Sequence, residues 1–289
     1  MSRNLFLKSF LAAASMFSLG SCSSTSSKLK IIHFDQTILG DSAKDLGVSI
    51  GVKKGNSTLL NEVNNALASL SQDTRNQLMT EATYRSNGDY STSTLKYTVP
   101  TNSEKTIKIG LECNYAPFNW TDVSDNDYNY PIKGTNQYAD GYDIQVASYL
   151  ASTLGYNLEI VKLEWESLIP SLNTDTIDLV IAGMTDTEER RQSIDFTNEY
   201  YRSELVLVVR EDSKYANATS LSDFAGAKIV SQVSTVTDDV INSWTTTYNV
   251  EHLNALDTFA TCALAVQNNT ADAMTAELPV ATSIVNGSN

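Results

Sequence analysis

From Thr106 to Glu277, short apolar runs alternate with segments whose apolar residues recur every three to four positions. No other feature limits the possible folds so strongly. "TIKIGLE" reads as a strand and "YDIQVASYLASTLG" as a helix closed by Gly155. "LEIVKLE" is a strand, "WESLIPSLN" a helix, "IDLVIAGM" a buried strand, "TEERRQS" a short helix and "LVLVVRE" a further strand. The series continues through "KIVSQ", the helix "VTDDVINSW", a strand around "VEHLNAL", the helix "TFATCALAVQNN" and the strand "ADAMTAE". Strands that alternate with helices pair in parallel, because each crossover carries the chain back over the sheet. The elements divide near "LVLVVREDSKYA" and show no internal repeat. An α/β protein of two lobes is expected, each a mainly parallel sheet flanked by helices.

The N-terminal part is odd beside this regularity. "KLKIIHF" and "GVSIGVKK" read as strands, and Leu59, Leu60, Val63, Leu67 and Leu70 fall at helical spacing after an Asn56/Ser57 cap. Such a strand–turn–helix usually closes a domain or sits inside one, yet here it precedes the main series. The polar stretch "SNGDYSTSTLKYTVPTNSEK" between them reads as a linker. Earlier still, Arg3 and Lys8 precede "SFLAAASMFSLG", too short to span a bilayer and suited to a signal peptide. It ends in "LGSC", Leu19 to Cys22, followed by "SSTSSK", which resembles a bacterial lipobox. The reading is a lipoprotein signal at 1–21 and a Ser-rich tether at 22–28. Lipidated Cys22 would hold the protein outside the cytoplasm on the bacterial cell membrane without crossing it. An ordinary signal peptide that happens to contain Cys22 is the alternative.

The 289 residues allow two lobes with ample core. With 20 Lys and Arg against 34 Asp and Glu, the net charge of −14 argues against a nucleic-acid partner. Cys113 and Cys262 lie far apart in apolar runs and read as buried free thiols rather than a disulfide. His33 and His252 belong to no Cys/His cluster, so no metal site is expected, and no phosphate loop or cofactor motif is present.

"IKIGLECNYAPFNW", "ADGYDIQVASYLASTLG", "WESLIPSLNTDTIDLVIAGMTDTEERRQSIDFTNEYY" and "LSDFAGAKIVSQVST" carry a family resemblance, over about Lys105 to Asn286. Their order and spacing are similar to those of the type 2 periplasmic binding proteins, and more narrowly of the polar amino-acid receptors of ABC importers. In that family the strand and helix resembling "ADAMTAELPVATSIV" are followed by a return to the first lobe. The elements of that return resemble "LKIIHF" and "VSIGVKKGNSTLLNEVNNALASLSQ", which here stand at the N-terminus. The resemblance therefore implies a circular permutation, with a truncated tandem fusion as the other reading. One lobe would span 48–209, including the linker 87–105, and the other 29–47 plus 210–289. Val48–Val52 and a strand near Leu205–Arg210 are then expected as hinge strands. Leu59–Leu70 should pack on the first lobe, and Leu29–Phe34 should join the sheet of the strands after Lys228.

An amino-acid receptor buries a zwitterion, so each charge needs a partner once water leaves. A guanidinium matches a carboxylate with two charge-assisted hydrogen bonds. The resemblance assigns this role to Arg190, with Arg191 its solvated neighbour. It gives the ammonium to Glu277, where the family more often has aspartate, with Thr185 and the Gly183 carbonyl as further acceptors; a Thr185–Glu188 capping box is an equal reading. Gln232, Ser234 and Thr235 resemble the loop that meets the carboxylate from the second lobe. Tyr115 and Trp165 match aromatic walls for the ligand side chain, while Phe118 and Trp120 read as packing. Glu112 stands where receptors for cationic amino acids place an acid, and "IAGMT", with Met184, is similar to arginine-type receptors. The expected function is delivery of arginine or lysine, then histidine or glutamine, to an ABC permease by a monomer that is no enzyme. A ligand-sensing ectodomain and a cyclohexadienyl-dehydratase-like enzyme are the alternatives.

Overall fold

The computed structural model describes residues 27–39 and 46–288. The expected signal peptide, the expected lipidation site Cys22 and most of the tether lie outside those residues. Two five-stranded mixed sheets with flanking helices form the two lobes, and a small four-stranded sheet caps one of them. The first lobe's sheet runs β10 (Ile194–Arg202), β2 (Gly47–Lys53), β9 (Leu179–Val180), β3 (Thr106–Leu111) and β8 (Asn157–Lys162). The second runs β1 (Leu29–Ile32), β11 (Leu205–Arg210), β14 (Ala273–Glu277), β12 (Lys228–Val230) and β13 (Glu251–His252). The small sheet joins β4 (Asn114–Tyr115), β5 (Asn119–Asp122), β7 (Tyr138–Asp140) and β6 (Tyr130–Pro131).

Parallel pairing holds for the β9–β3–β8 and β14–β12–β13 cores, the products of the βαβ pattern. One strand in each sheet runs against both neighbours: β2 between β10 and β9, and β11 between β1 and β14. These are the strands the chain enters after passing between lobes, so each sheet is less purely parallel than the alternation implied. Both are buried on both faces, as interior strands are. The two passages are tied together: the Gln36 side chain donates to the Leu205 carbonyl and accepts from its N–H, each at 3.0 Å.

The N-terminal helices pack on the first lobe. Helix α1 (Ser57–Ala68) starts where the Asn56 side chain accepts the Leu59 N–H, and it buries Val63, Ala66 and Leu67 against β10 and α3 (Tyr142–Leu154). Helix α2 (Gln72–Arg85) ends in a buried ion pair, the Arg85 guanidinium donating to Asp140 at 2.9–3.2 Å. Removing either partner would strand the other charge in the core. Residues 89–105 form no regular element, but Leu95, Tyr97 and Val99 pack against the core. In chain order the remaining helices are α4 (Leu168–Asn173), α5 (Glu188–Arg191), α6 (Val236–Thr247), α7 (Phe259–Gln267) and α8 (Leu278–Ser288). No helix among the described residues is long and apolar enough to cross a membrane.

Candidate functional site

Polar groups gather where the strands end. Glu112 follows β3, Gly183 to Thr185 follow β9, Gln232 to Thr235 follow β12, and Glu277 is the last residue of β14. Open α/β sheets present their ligand crevice at these carboxyl ends. Glu112, Tyr115, Trp165, Gly183, Thr185, Arg190, Gln232, Thr235 and Glu277 line one cavity between the lobes, together with Val236 and Phe259. Its free space is about 20 Å³, room for a single water.

Helix α5 positions Arg190. Its N-cap is Thr187, whose hydroxyl accepts the Arg190 N–H at 3.2 Å, so the cap is not the Thr185–Glu188 box. Thr185 instead lines the cavity, and its carbonyl accepts from Arg190 Nη1 at 2.7 Å. Arg190 Nη2 reaches across to the Ser234 carbonyl at 3.1 Å, and the guanidinium lies 5.3 Å from the centre of the Trp165 ring. Burial lowers its pKa, with Asp239, Glu189 and Glu277 opposing the shift.

Two acids share this cavity. Glu112 is 5% exposed and accepts from Gln232 Nε2 at 3.1 Å. Burial pushes its carboxyl up to about 7, against the pull of the Gln232 hydrogen bond. Glu277 accepts from the Tyr115 hydroxyl at 2.5 Å; burial raises it and that hydrogen bond opposes the rise. One guanidinium and two carboxyl groups therefore face one small space.

One expectation needs correction, and two other residues gain detail. Met184 is buried in the core, 1% exposed, and does not line the cavity; its carbonyl accepts the Ser49 N–H. Ser234 adopts φ of 59°, its carbonyl accepts from Trp165 Nε1 and Arg190, and its hydroxyl donates to Glu166 at 2.9 Å. Tyr115 lines the cavity with its ring stacked on Phe118 and Phe259, both at 5.0 Å. Phe118 is thus core, as its sequence setting implied, and Trp120 is half-buried beside it. Phe259 and Val236 were not singled out from sequence. Each opens a helix after a strand of the second lobe, the position from which a residue reaches the crevice.

Both internal cysteines are buried and unpaired, and burial raises each thiol to about 12. No group of three or more His, Cys, Asp or Glu among the described residues could hold a metal ion.

Residues 107–277 match the bacterial extracellular solute-binding proteins, family 3. The arginine-binding extracellular protein ArtP of Bacillus subtilis is 29% identical over 138 residues, 48% of each chain. A probable histidine-binding protein of Campylobacter jejuni is 30% identical over 179 residues, 61% of each. The chain thus spans about half the length of the curated relatives it matches. The solved structure of holo ArgBP from T. maritima is 29% identical and superposes with a TM-score of 0.52, over 62% of this chain and 72% of that one.

Proposed function

Because this chain belongs to the bacterial extracellular solute-binding proteins, family 3, we propose that it receives a polar, cationic amino acid for delivery to an ABC importer. The observation that carries the reading is the charge balance of the cavity: Arg190 against Glu112 and Glu277. With both acids ionised the walls carry one excess negative charge. Arginine or lysine brings one carboxylate and two cations, and the sum is zero. Buried charges are tolerated when each finds such a partner. Arg190 takes the ligand carboxylate, Glu277 the ammonium and Glu112 the distal cation. The proposed order is arginine or lysine first, then histidine or glutamine; the relatives include one named as arginine-binding and one as probably histidine-binding.

An amino acid fits only if the lobes part and these groups exchange partners. The Tyr115–Glu277 and Gln232–Glu112 bonds then give way to bonds with the ligand. Closure is a hinge motion in which ligand contacts to both walls favour the closed population. The reading includes anchoring through lipidated Cys22 and a circularly permuted chain. For permutation the support is that β1 and β2 precede the family-matched residues yet each completes a different sheet. The expected lobes, 48–209 and 29–47 with 210–289, then need their boundary moved to before Leu205, because β11 pairs with β1 and β14 in the second lobe's sheet, and Gly47 joins the first with β2.

A thermal-shift panel of the twenty amino acids tests the ligand, since a bound ligand raises stability by RT ln(1 + [L]/Kd). Arginine or lysine gives the largest shift on this reading. Glutamate as the best ligand, or no shift with any amino acid, overturns it.

A further inference from the structure

Asp143 stands in the first turn of α3 with 0% exposure, and both its carboxylate oxygens accept hydrogen bonds. Oδ1 accepts from the Tyr200 hydroxyl at 2.6 Å and Oδ2 from Asn119 Nδ2 at 2.8 Å. Neither chain stops there. The Tyr200 oxygen accepts the Gly183 N–H at 2.9 Å, and Asn119 Oδ1 accepts the Cys113 N–H at 2.7 Å. Gly183 lines the cavity, and Cys113 links Glu112 to the strand that carries Tyr115. Both backbones are left-handed, with φ of 60° at Gly183 and 57° at Cys113. Such conformations persist only where the surroundings hold them. At Gly183 the fit is tight as well, since a Cβ there would lie 2.6 Å from the Tyr115 ring.

We infer that Asp143 is a positioning residue of the pocket: its carboxylate, acceptor-only when ionised, sets the direction of both hydrogen-bond chains and so holds Glu112, Tyr115 and Gly183 in place. The inference deepens, and rests on, the reading of this cavity as the amino-acid site. An amide at 143 cannot do the same work, because it presents one acceptor and one donor. If its donor faces Asn119, that side chain must turn over, and its own NH2 then meets the Cys113 N–H. If its donor faces Tyr200, the phenolic hydrogen loses its acceptor and the ring is no longer held toward Gly183. The rival role for an acid in a helix's first turn is to oppose the helix dipole, which depends on position 143 alone.

The exchange of the two side chains separates these roles. Asn119→Asp alone sets two carboxylates face to face. The double variant Asp143→Asn/Asn119→Asp restores every bond: the amide accepts from Tyr200 and donates to the new carboxylate, which accepts the Cys113 N–H. Two measurements on the full chain at pH 8 decide, arginine affinity by calorimetry and amide hydrogen exchange at Cys113 and Gly183 without ligand. Each single variant is expected to weaken arginine by tenfold or more. Asp143→Asn should also speed exchange at one of the two amides by at least tenfold. The double variant should return within threefold of wild type in both measurements. Additive losses in the double variant, or wild-type exchange in Asp143→Asn, overturn the inference. Should a single variant fail to fold, folding and arginine binding by the double variant still decide. If wild type binds no amino acid while the exchange results follow the expected pattern, the proposed ligand is refuted and the positioning role stands.

Discussion

The two walls of the cavity are built differently. On the first-lobe side, Glu112 and Arg190 are charged and locked: Arg190 to the Thr185 carbonyl, Glu112 through a neighbour whose N–H and carbonyl are bonded to Asn119 and Thr121. Among the cavity-lining residues of the second-lobe side only Glu277 is charged, and the loop 232–235 offers an amide, the Thr235 hydroxyl and the Ser234 carbonyl. Three of the bonds across the cleft run from first-lobe donors to second-lobe acceptors: Trp165 and Arg190 to the Ser234 carbonyl, and Tyr115 to Glu277. On the proposed function the walls divide the work: charge discrimination belongs to the wall fixed to the interior, and the second wall contributes closure through groups that suit many ligands.

The largest effect is expected at the most constrained charge. Arg190→Ala leaves a ligand carboxylate buried without its partner, a loss of about 3–5 kcal/mol, or more than a hundredfold in affinity. Calorimetry should show binding abolished while the melting temperature without ligand changes little. A loss below twofold would remove Arg190 from charge recognition and leave Glu112 as the first wall's one charged candidate.

The next effect is at Glu112 and depends on pH. Glu112→Gln should weaken arginine and lysine by about 1.5–3 kcal/mol, roughly ten- to a hundredfold, and glutamine much less. In the native protein the cationic ligand needs the ionised carboxyl, which titrates at about 7. Arginine affinity should therefore fall as the pH drops from 8 to 5.5, approaching tenfold per unit, and Glu112→Gln should flatten the profile. Stability without ligand carries the opposite sign. Glu112 and Asp143, both raised to about 7 chiefly by burial, bind protons more tightly folded than unfolded. Their contribution is present at low pH and is lost as the pH rises through about 7. Melting curves with and without arginine at pH 5.5 and 8 check both signs, and parallel profiles would contradict the assignment.

The same contrast decides how much could be read from sequence. Arg190, Glu277, Glu112 and Gln232 were identified because charge and position in a motif survive without coordinates. The alternation of strands and helices also gave the parallel core of each sheet. Strand β10 was missed because "IDFTNEYYR" mixes polar and aromatic residues, and its pairing with β2 carries register shifts that blur a period of two. The small sheet was missed because strands as short as Asn114–Tyr115 are below the reach of periodicity. Side-chain direction was the other gap. Met184 turns into the core, Tyr115 is sandwiched between rings, and Ser234 faces the cleft with its carbonyl, all consequences of backbone angles and packing.

The smallest effects offer the sharpest comparison, because each wall holds one non-glycine residue in the left-handed region: Cys113 at φ of 57° and Ser234 at 59°. Glycine at either position relieves strain of roughly 1–2 kcal/mol. At 234 that relief is offset by the greater freedom of glycine in the unfolded chain, about 0.5–1 kcal/mol. Loss of the exposed Ser234–Glu166 bond adds little. Ser234→Gly should therefore change stability by less than about 1 kcal/mol, and arginine affinity by no more than about threefold. At 113 the same relief meets a thiol that is 1% exposed and packed in the core. Cys113→Gly removes that packing, loosens the segment between Glu112 and Tyr115, and should cost about 1–3 kcal/mol of stability. Arginine affinity should fall further than in Ser234→Gly, with glutamine less affected because it leans less on Glu112. If Ser234→Gly proved the more damaging for arginine, the second wall would be the discriminating one.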